Sequence, residues 1–446
     1  MKSLKVIKIA LAVILFSNLC YSQTGWYQVS SGTNKALLSL HFINLNTGFS
    51  VGTSGALLVT TNTGNTWQSI SLGDTTYSLK KIYFKDQLTG FILGHSPLGV
   101  FPTPPLDSLH TRIYKTTDGG INWFVDQPRI VGVFFNSIQF VNSNTGYISG
   151  GLYSVGPNKM YKTTNGGNSW YEMPTGVNGT ILSMKFTDEN SGVIGLMNKI
   201  YKTTNGGTTW SKVYENTGNE FNLVFDVNFL NANTGFAAGG YYLDTLNKNR
   251  FVLKTTNAGQ NWSYLLNDNS GTMINSLTVI NEGLIYAAGS VNAYSYQNSG
   301  FIIKTINGGS TWNNESIPTA LPLADLKSNN LKGFAVGFNG GIYKKDNIVS
   351  VTQISTVVPE SIKLHQNYPN PFNPATSIKF EINKAGFTQL KVFDITGKEI
   401  KNLVEGFKEA GTYEAKFDGV SLNSGIYFYK LMTNGTTITK SMVLVK

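Results

Sequence analysis

The side chains able to do chemistry in this chain are few and scattered. There are four histidines, His41, His95, His110 and His365, and three arginines, Arg112, Arg129 and Arg250. His95, Asp107 and His110 share one segment and could meet at a metal ion. Their spacing fits no familiar zinc pattern, and the ordinary reading is a surface loop with two solvated histidines. A carboxylate pair of the kind that cleaves glycosidic bonds could form among Asp107, Asp126, Asp226, Asp244 and Asp268, but sequence spacing gives no distance between them. The only cysteine, Cys20, lies in an apolar run near the N-terminus, so the chain beyond it has no thiol for a disulfide or a thiolate metal site. The glycine pairs fall in hairpin turns and not between a strand and a helix, which excludes a phosphate loop. No catalytic residue, metal or cofactor is assigned on these grounds.

The elements that hold these residues come from composition and repetition. Of 446 residues, 13% are charged, 41% are hydrophobic and 47 are glycine. Low charge with abundant glycine and aromatics favours many short strands joined by tight turns. The net charge of +10 includes Lys2, Lys5 and Lys8 and shows no clustered basic stripe, so no nucleic-acid partner is expected.

Two short blocks recur. The first runs Thr60 to Trp67 (TTNTGNTW) and returns at 116–123, 163–170, 203–210, 255–262 and 305–312. The second, TGFSVG at 47–52, returns at 89–94, 145–150, 191–196, 234–239, 284–289 and 332–337, one copy more than the first. The seventh repeat breaks off after GIYKKD (341–346), while GWYQVS (25–30) resembles the strand that begins at each repeat tryptophan. The N-terminal segment is therefore expected to complete the last unit beside Ile342 and Tyr343, closing a ring. Four short strands per unit, at 37–44, 47–52, 55–61 and 66–71 in the first, predict an all-β fold, a seven-bladed β-propeller. Lys115, Lys162, Lys202, Lys254 and Lys304 recur at one place per repeat, a regularity of the repeat itself.

The first block resembles the Asp-box, or BNR, repeat. The positions that carry the likeness are Asn62, Gly64, Trp67; Asp118, Gly120, Trp123; Asn165, Gly167, Trp170; Asn205, Gly207, Trp210; Asn257, Gly259, Trp262; and Asn307, Gly309, Trp312. The resemblance implies a structural turn in which the Asx side chain accepts backbone N–H groups, glycine takes positive φ and tryptophan packs against neighbouring sheets. The region 23–350 also resembles the photosystem II assembly-factor family, which implies a seven-bladed propeller. Sialidases and xyloglucan-type glycosidases carry such repeats too. The sialidase arginine triad is not matched, since Arg112 and Arg250 occupy similar positions before the third strand of their units.

After 358 the repeat ends. NYPNPFNP (Asn367, Tyr368, Pro369, Asn370, Pro371, Phe372, Asn373, Pro374) opens a segment with strand-like runs at 376–382, 387–394, 411–418, 425–432 and 436–446. With Val392 to Gly397, Ala410 to Tyr413, Ser424 to Tyr429 and Lys440 to Lys446, it resembles the type A C-terminal sorting domain of the type IX secretion system. That implies a small β-sandwich and outer-membrane translocation. Three lysines, an apolar run from Ile9 to Phe16 and small residues near Ser22 read as a secretory signal cleaved before Gln23. The run is too short for a transmembrane segment.

The expected organisation is a signal peptide (1–22), a propeller (23–346), a linker (347–358) and a sorting domain (359–446). The connection between the second and third strands is long at 95–112, 151–159, 240–250 and 290–300. These four insertions should crowd one rim, opposite the repeated turns. They carry Phe101, Tyr153, Tyr241, Tyr242, Tyr294 and Tyr296, the candidate binding residues. Asp107-Ser108-Leu109 and Asp244-Thr245-Leu246 also resemble a short O-glycosylation signal. The expectation is an exported, monomeric, non-enzymatic propeller binding a surface protein or glycan and handled by the type IX machinery through 359–446. The alternative is a secreted glycoside hydrolase or sialidase-like enzyme.

Overall fold

The computed structural model describes residues 25–96, 109–152, 158–218, 222–241, 249–269, 272–290, 300–318, 321–329, 332–346, 348, 352–355, 357–408, 410–419 and 422–446. Their regular structure is entirely β, in nine four-stranded sheets. Seven of these are antiparallel blades built from successive repeats. In the first blade the strands are Leu37–Phe42, Gly48–Gly52, Leu57–Thr60 and Gln68–Ser69. The first strand of each blade is innermost. These inner strands are Leu37–Phe42, Ser78–Phe84, Phe134–Phe140, Ser183–Phe186, Asn222–Phe229, Met273–Val279 and Leu323–Ser328. Each contacts the next, and the seventh contacts the first, so the ring is closed around an axis.

The seventh blade takes its outermost strand from the N-terminus. Tyr27–Val29 pairs antiparallel with Ile342–Lys345, placing Tyr27 opposite Lys344, Gln28 opposite Tyr343 and Val29 opposite Ile342. The Tyr27 hydroxyl donates to Asp346 at 2.9 Å. This is the closure expected from the surplus copy of the second block.

The hydrophobic core is divided among the seven seams between blades. Phe49, Val51 and Leu57 of blade one pack on Leu79, Ile82, Phe84 and Ile92 of blade two. Equivalent clusters fill every other seam, and each holds one of the seven tryptophans. Trp26 completes the seam between blades six and seven. Five of the indoles stand edge-on to inner-strand phenylalanines, as Trp123 does to Phe84 at 5.7 Å and Trp170 to Phe140 at 5.7 Å, a favoured aromatic geometry. In blades one to five glycine opens the second strand because the inner strand ends in phenylalanine. A Cβ on Gly90 would stand 2.6 Å from the Phe84 ring.

The repeated turn is held by two side chains. Asn62 Oδ1 accepts the Thr66 N–H at 3.0 Å, and Thr60 Oγ1 accepts the Gly64 N–H at 3.0 Å. The pattern repeats around Asp118, Asn165, Asn205, Asn257 and Asn307. Gly120 and Gly167 have φ of 88° and 83°, in the left-handed region. A Cβ there would also enter the ring of Phe49 or Phe91 of the preceding blade, so each turn caps the seam behind it.

The remaining two sheets belong to the C-terminal segment. One has the order Thr352–Ser355, Gly411–Asp418, Ala375–Ile382, Lys363–Leu364; the other Glu399–Lys408, Gly386–Phe393, Gly425–Thr433, Thr436–Leu444. Phe380, Leu390, Tyr429, Leu431 and Met442 lie in their shared core. The strand Glu399–Lys408 lies between the expected runs at 387–394 and 411–418, where the sequence suggested none. Part of the expected linker is also structured. Ile348 is buried beside Trp26 in the last seam, and Thr352–Ser355 pairs with Thr412–Glu414.

Candidate functional site at the propeller axis

Alternation puts every second inner-strand residue into a seam and turns the others towards the axis. A bulge interrupts six of the seven inner strands at the same place, just before Ser39, Lys81, Ser137, Asp226, Ser276 and Asp325. These residues form one level of the ring. Asp325 is its hub. The Asp325 carboxylate accepts the Leu40 N–H at 3.0 Å and the hydroxyls of Ser39 and Ser276 at 3.3 and 2.9 Å. Lys327 stands 2.8 Å and Lys81 4.0 Å from it. Blades six, seven, one and two are thus tied to one buried carboxylate. Burial pushes Asp325 up, but Lys327 and Lys81 overcome it and hold the carboxyl well below the usual range.

The same register is used elsewhere. Ser39 Oγ accepts the Ile82 N–H at 3.4 Å, and Asp226 accepts the Leu277 N–H at 2.8 Å and the Ser276 hydroxyl at 3.3 Å. Asp226 and Asp325 therefore share the Ser276 hydroxyl and form a close carboxylate pair. One member belonged to the set flagged in sequence; Asp325 did not. His41, two residues beyond Ser39, is pushed down to about 4 by burial, reinforced by Lys327 and Lys81, and is neutral at pH 7. Only the fold reveals this level, because its members lie about one repeat apart and differ in type.

The other sequence candidates have separate fates. Phe101, Tyr153, Tyr242, Tyr294 and Tyr296 lie outside the described residues, as do Asp107 and Asp244. Tyr241 ends the second strand of blade five, half-buried, its N–H bonded to the Asn249 carbonyl at 3.0 Å. The strand ends that bracket the insertions, His95 and His110, Gly151 and Asn158, Tyr241 and Arg250, Ser290 and Gly300, are on the face where each blade links to the next. The repeated turns are on the other face, since Gly119 and Gly166 donate to Leu88 and Asn144 in the loops between first and second strands.

His95 and His110 are not two solvated loop residues. They end and begin paired strands. His95 Nε2 lies 2.8 Å from the Phe135 carbonyl, and His110 Nε2 lies against the Tyr77 hydroxyl. No group of three metal-ligating side chains occurs among the described residues. Arg112 and Arg250 stand within the third strands, each committed to its own carboxylate: Arg112 to Asp74 at 2.7 Å, Arg250 to Asp268 at 2.9 Å. Of the recurring lysines, Lys115 braces a seam, as does Lys344 at the equivalent place in the seventh blade, whereas Lys304 pairs with Glu315 of its own blade. Lys115 Nζ donates to Gly167 O and Asn168 Oδ1 of the next blade and lies over the Phe91 ring, and Lys344 reaches Asn65 across the closing seam. In the C-terminal segment, the Asn367 amide N–H donates to the Tyr429 hydroxyl at 2.9 Å, and Phe372 is bonded through its backbone to Val443 and Val445.

A family model described as photosynthesis system II assembly factor YCF48 matches residues 19–103 and 163–345. The chain belongs to the YCF48 family. Residues 366–446 match the secretion system C-terminal sorting domain, so this family member is a type IX secretion cargo, secreted or displayed at the cell surface. Among solved structures, one described as YCF48 bound to D1 peptide shares 17% identity at a TM-score of 0.54, over 73% of this chain and 98% of that one. YCF48 from Cyanidioschyzon merolae shares 18% at 0.52, over 72% and 98%. The GH74 xyloglucanase from Xanthomonas campestris shares 9% at 0.54, over 80% of this chain and 59% of its own. These likenesses carry the propeller fold alone. No curated protein matches the chain.

Proposed function

We propose that this protein is an exported, non-enzymatic propeller that binds a protein or glycan at the cell surface through the face bearing its four insertions. The supporting observation is that all four pairs of bracketing strand ends lie on that one face of a rigid closed ring. Loops on such scaffolds commonly carry binding. A D1 peptide bound to another YCF48 propeller favours a protein segment as the ligand. Residues 1–22 serve as the signal peptide, the mature chain is a monomer without nucleic-acid partners, and the propeller gives way to the sorting domain between Ile348 and Thr352.

The alternative, a glycoside hydrolase or sialidase-like enzyme, is favoured by the Asp226–Asp325 pair. Glycosidases keep one carboxyl protonated as the acid. Asp325 is instead held ionised and is spent on backbone and hydroxyl donors. A glycan array and a surface pull-down with the whole chain test the reading. Replacing Tyr242, Tyr294 and Tyr296 by Ala should weaken capture while leaving stability within about 0.5 kcal/mol; Tyr241→Ala should weaken capture too, with a larger stability cost because Tyr241 is half-buried at a strand end. A partner footprint on the repeated turns that spares the insertions would overturn it.

A further inference from the structure

The inner strands carry four lysines, Lys80, Lys81, Lys185 and Lys327, against two acids, Asp226 and Asp325. With His41 neutral, the axis has an excess of positive charge. Lys81 and Lys327 are tied to Asp325. Lys80 and Lys185 make no hydrogen bond or ion pair among the described residues, although Asp226 acts on Lys185 at longer range. Lys80 is exposed to solvent and Lys185 half-buried; desolvation among the surrounding strands and a neighbouring lysine lower the proton affinity of each, against the pull of Asp325 on Lys80 and Asp226 on Lys185. Two solvent-accessible cations without partners, set beside further lysines, make a local positive field that favours an anion.

We propose that the axial channel is an anion-binding site for the carboxylates of an acidic peptide, with Lys80 and Lys185 as its contacts. This deepens the binding-module reading and rests on it. Lys80 precedes the Asp325 level by one residue and Lys185 follows it by two. Their Cα positions are therefore separated along the strand direction by roughly 10 Å, which an extended peptide spans with carboxylates two or three residues apart. At the intervening level side chains of four successive blades converge on Asp325. Lysine suits the task, since it meets a carboxylate as a point charge without the planar register arginine requires.

The test is titration calorimetry of the whole chain with hexaglutamate, hexaglutamine and a heparin-derived tetrasaccharide at low and high salt. The wild type should bind hexaglutamate at low salt and not hexaglutamine, with affinity falling as salt rises. K80M/K185M should weaken binding by about tenfold or more, while K384M/K398M, an equal charge change on exposed lysines of the C-terminal segment, should leave it within about twofold. The melting temperature of K80M/K185M should equal or exceed that of the wild type, because an unpaired charge is removed. The proposal is overturned by unchanged binding in K80M/K185M, by equal loss in the control, by absence of hexaglutamate binding, or by preference for the tetrasaccharide. The two readings fail separately. If the rim tyrosine variants lose a captured partner while K80M/K185M retains it, the channel assignment falls and the binding module stands.

Discussion

His41 shows how the axis changes a residue that looks unremarkable in sequence. Its folded pKa is driven from 6.5 to about 4, chiefly by burial and then by Lys327 and Lys81. Between those values the unfolded chain binds a proton that the folded chain refuses, so stability falls as pH drops from about 6.5 towards 4. His41→Gln should flatten that part of the pH–stability curve, by on the order of 1–3 kcal/mol, as read from urea midpoints at pH 7 and pH 4.5. An unchanged slope would show that His41 protonates freely. Asp325→Ala should cost about 3–5 kcal/mol, since it strands Lys327, Lys81 and the Leu40 N–H; thermal unfolding reads this directly. The turn residues were legible because their spacing is local. The buried Thr60 equivalents and the reach of Lys115 into the next blade were not, because their partners are set by the turn's conformation and by neighbouring sheets.

At the scale of the element, the strand Tyr27–Val29 has the largest consequence. Deleting residues 23–31 removes a paired strand and the buried Trp26, and should destabilise the ring by about 3–5 kcal/mol, measured by chemical denaturation. A loss no larger than that of a frayed terminus would mean that Ile342–Lys345 tolerates being an edge. Sequence counting revealed this strand because seven copies of one block faced six of the other. Counting could not reveal Glu399–Lys408, whose glycine interrupts a charged, weakly alternating run that pairing with Gly386–Phe393 nevertheless fixes. Nor could it place His95 and His110. They read as loop residues because polar strand ends resemble insertions until their pairing is known.

For the whole molecule, the two parts have separate cores, one divided among seven seams and the other between two sheets. Ending the chain after Ser350 keeps Ile348 in its seam and removes Thr352–Ser355 with the sheet it serves. The truncated protein should fold and remain in the periplasm of a host with type IX secretion, checked by cell fractionation and a melting transition. Its normal arrival at the surface would contradict the role of the C-terminal domain. The sequence by itself determined the repeat, the number of blades, the closing strand and the export domain. These follow from periodic hydrophobicity, turn chemistry and near-contiguous motifs, which act over short stretches of chain. Only the tertiary structure decided what stands at the axis. Ser39, Lys81, Asp226, Ser276 and Asp325 share no motif and lie far apart in sequence. They meet because seven inner strands, six of them bulged at the same place, pack around one line, and burial there makes Asp325 depend on its paired lysines.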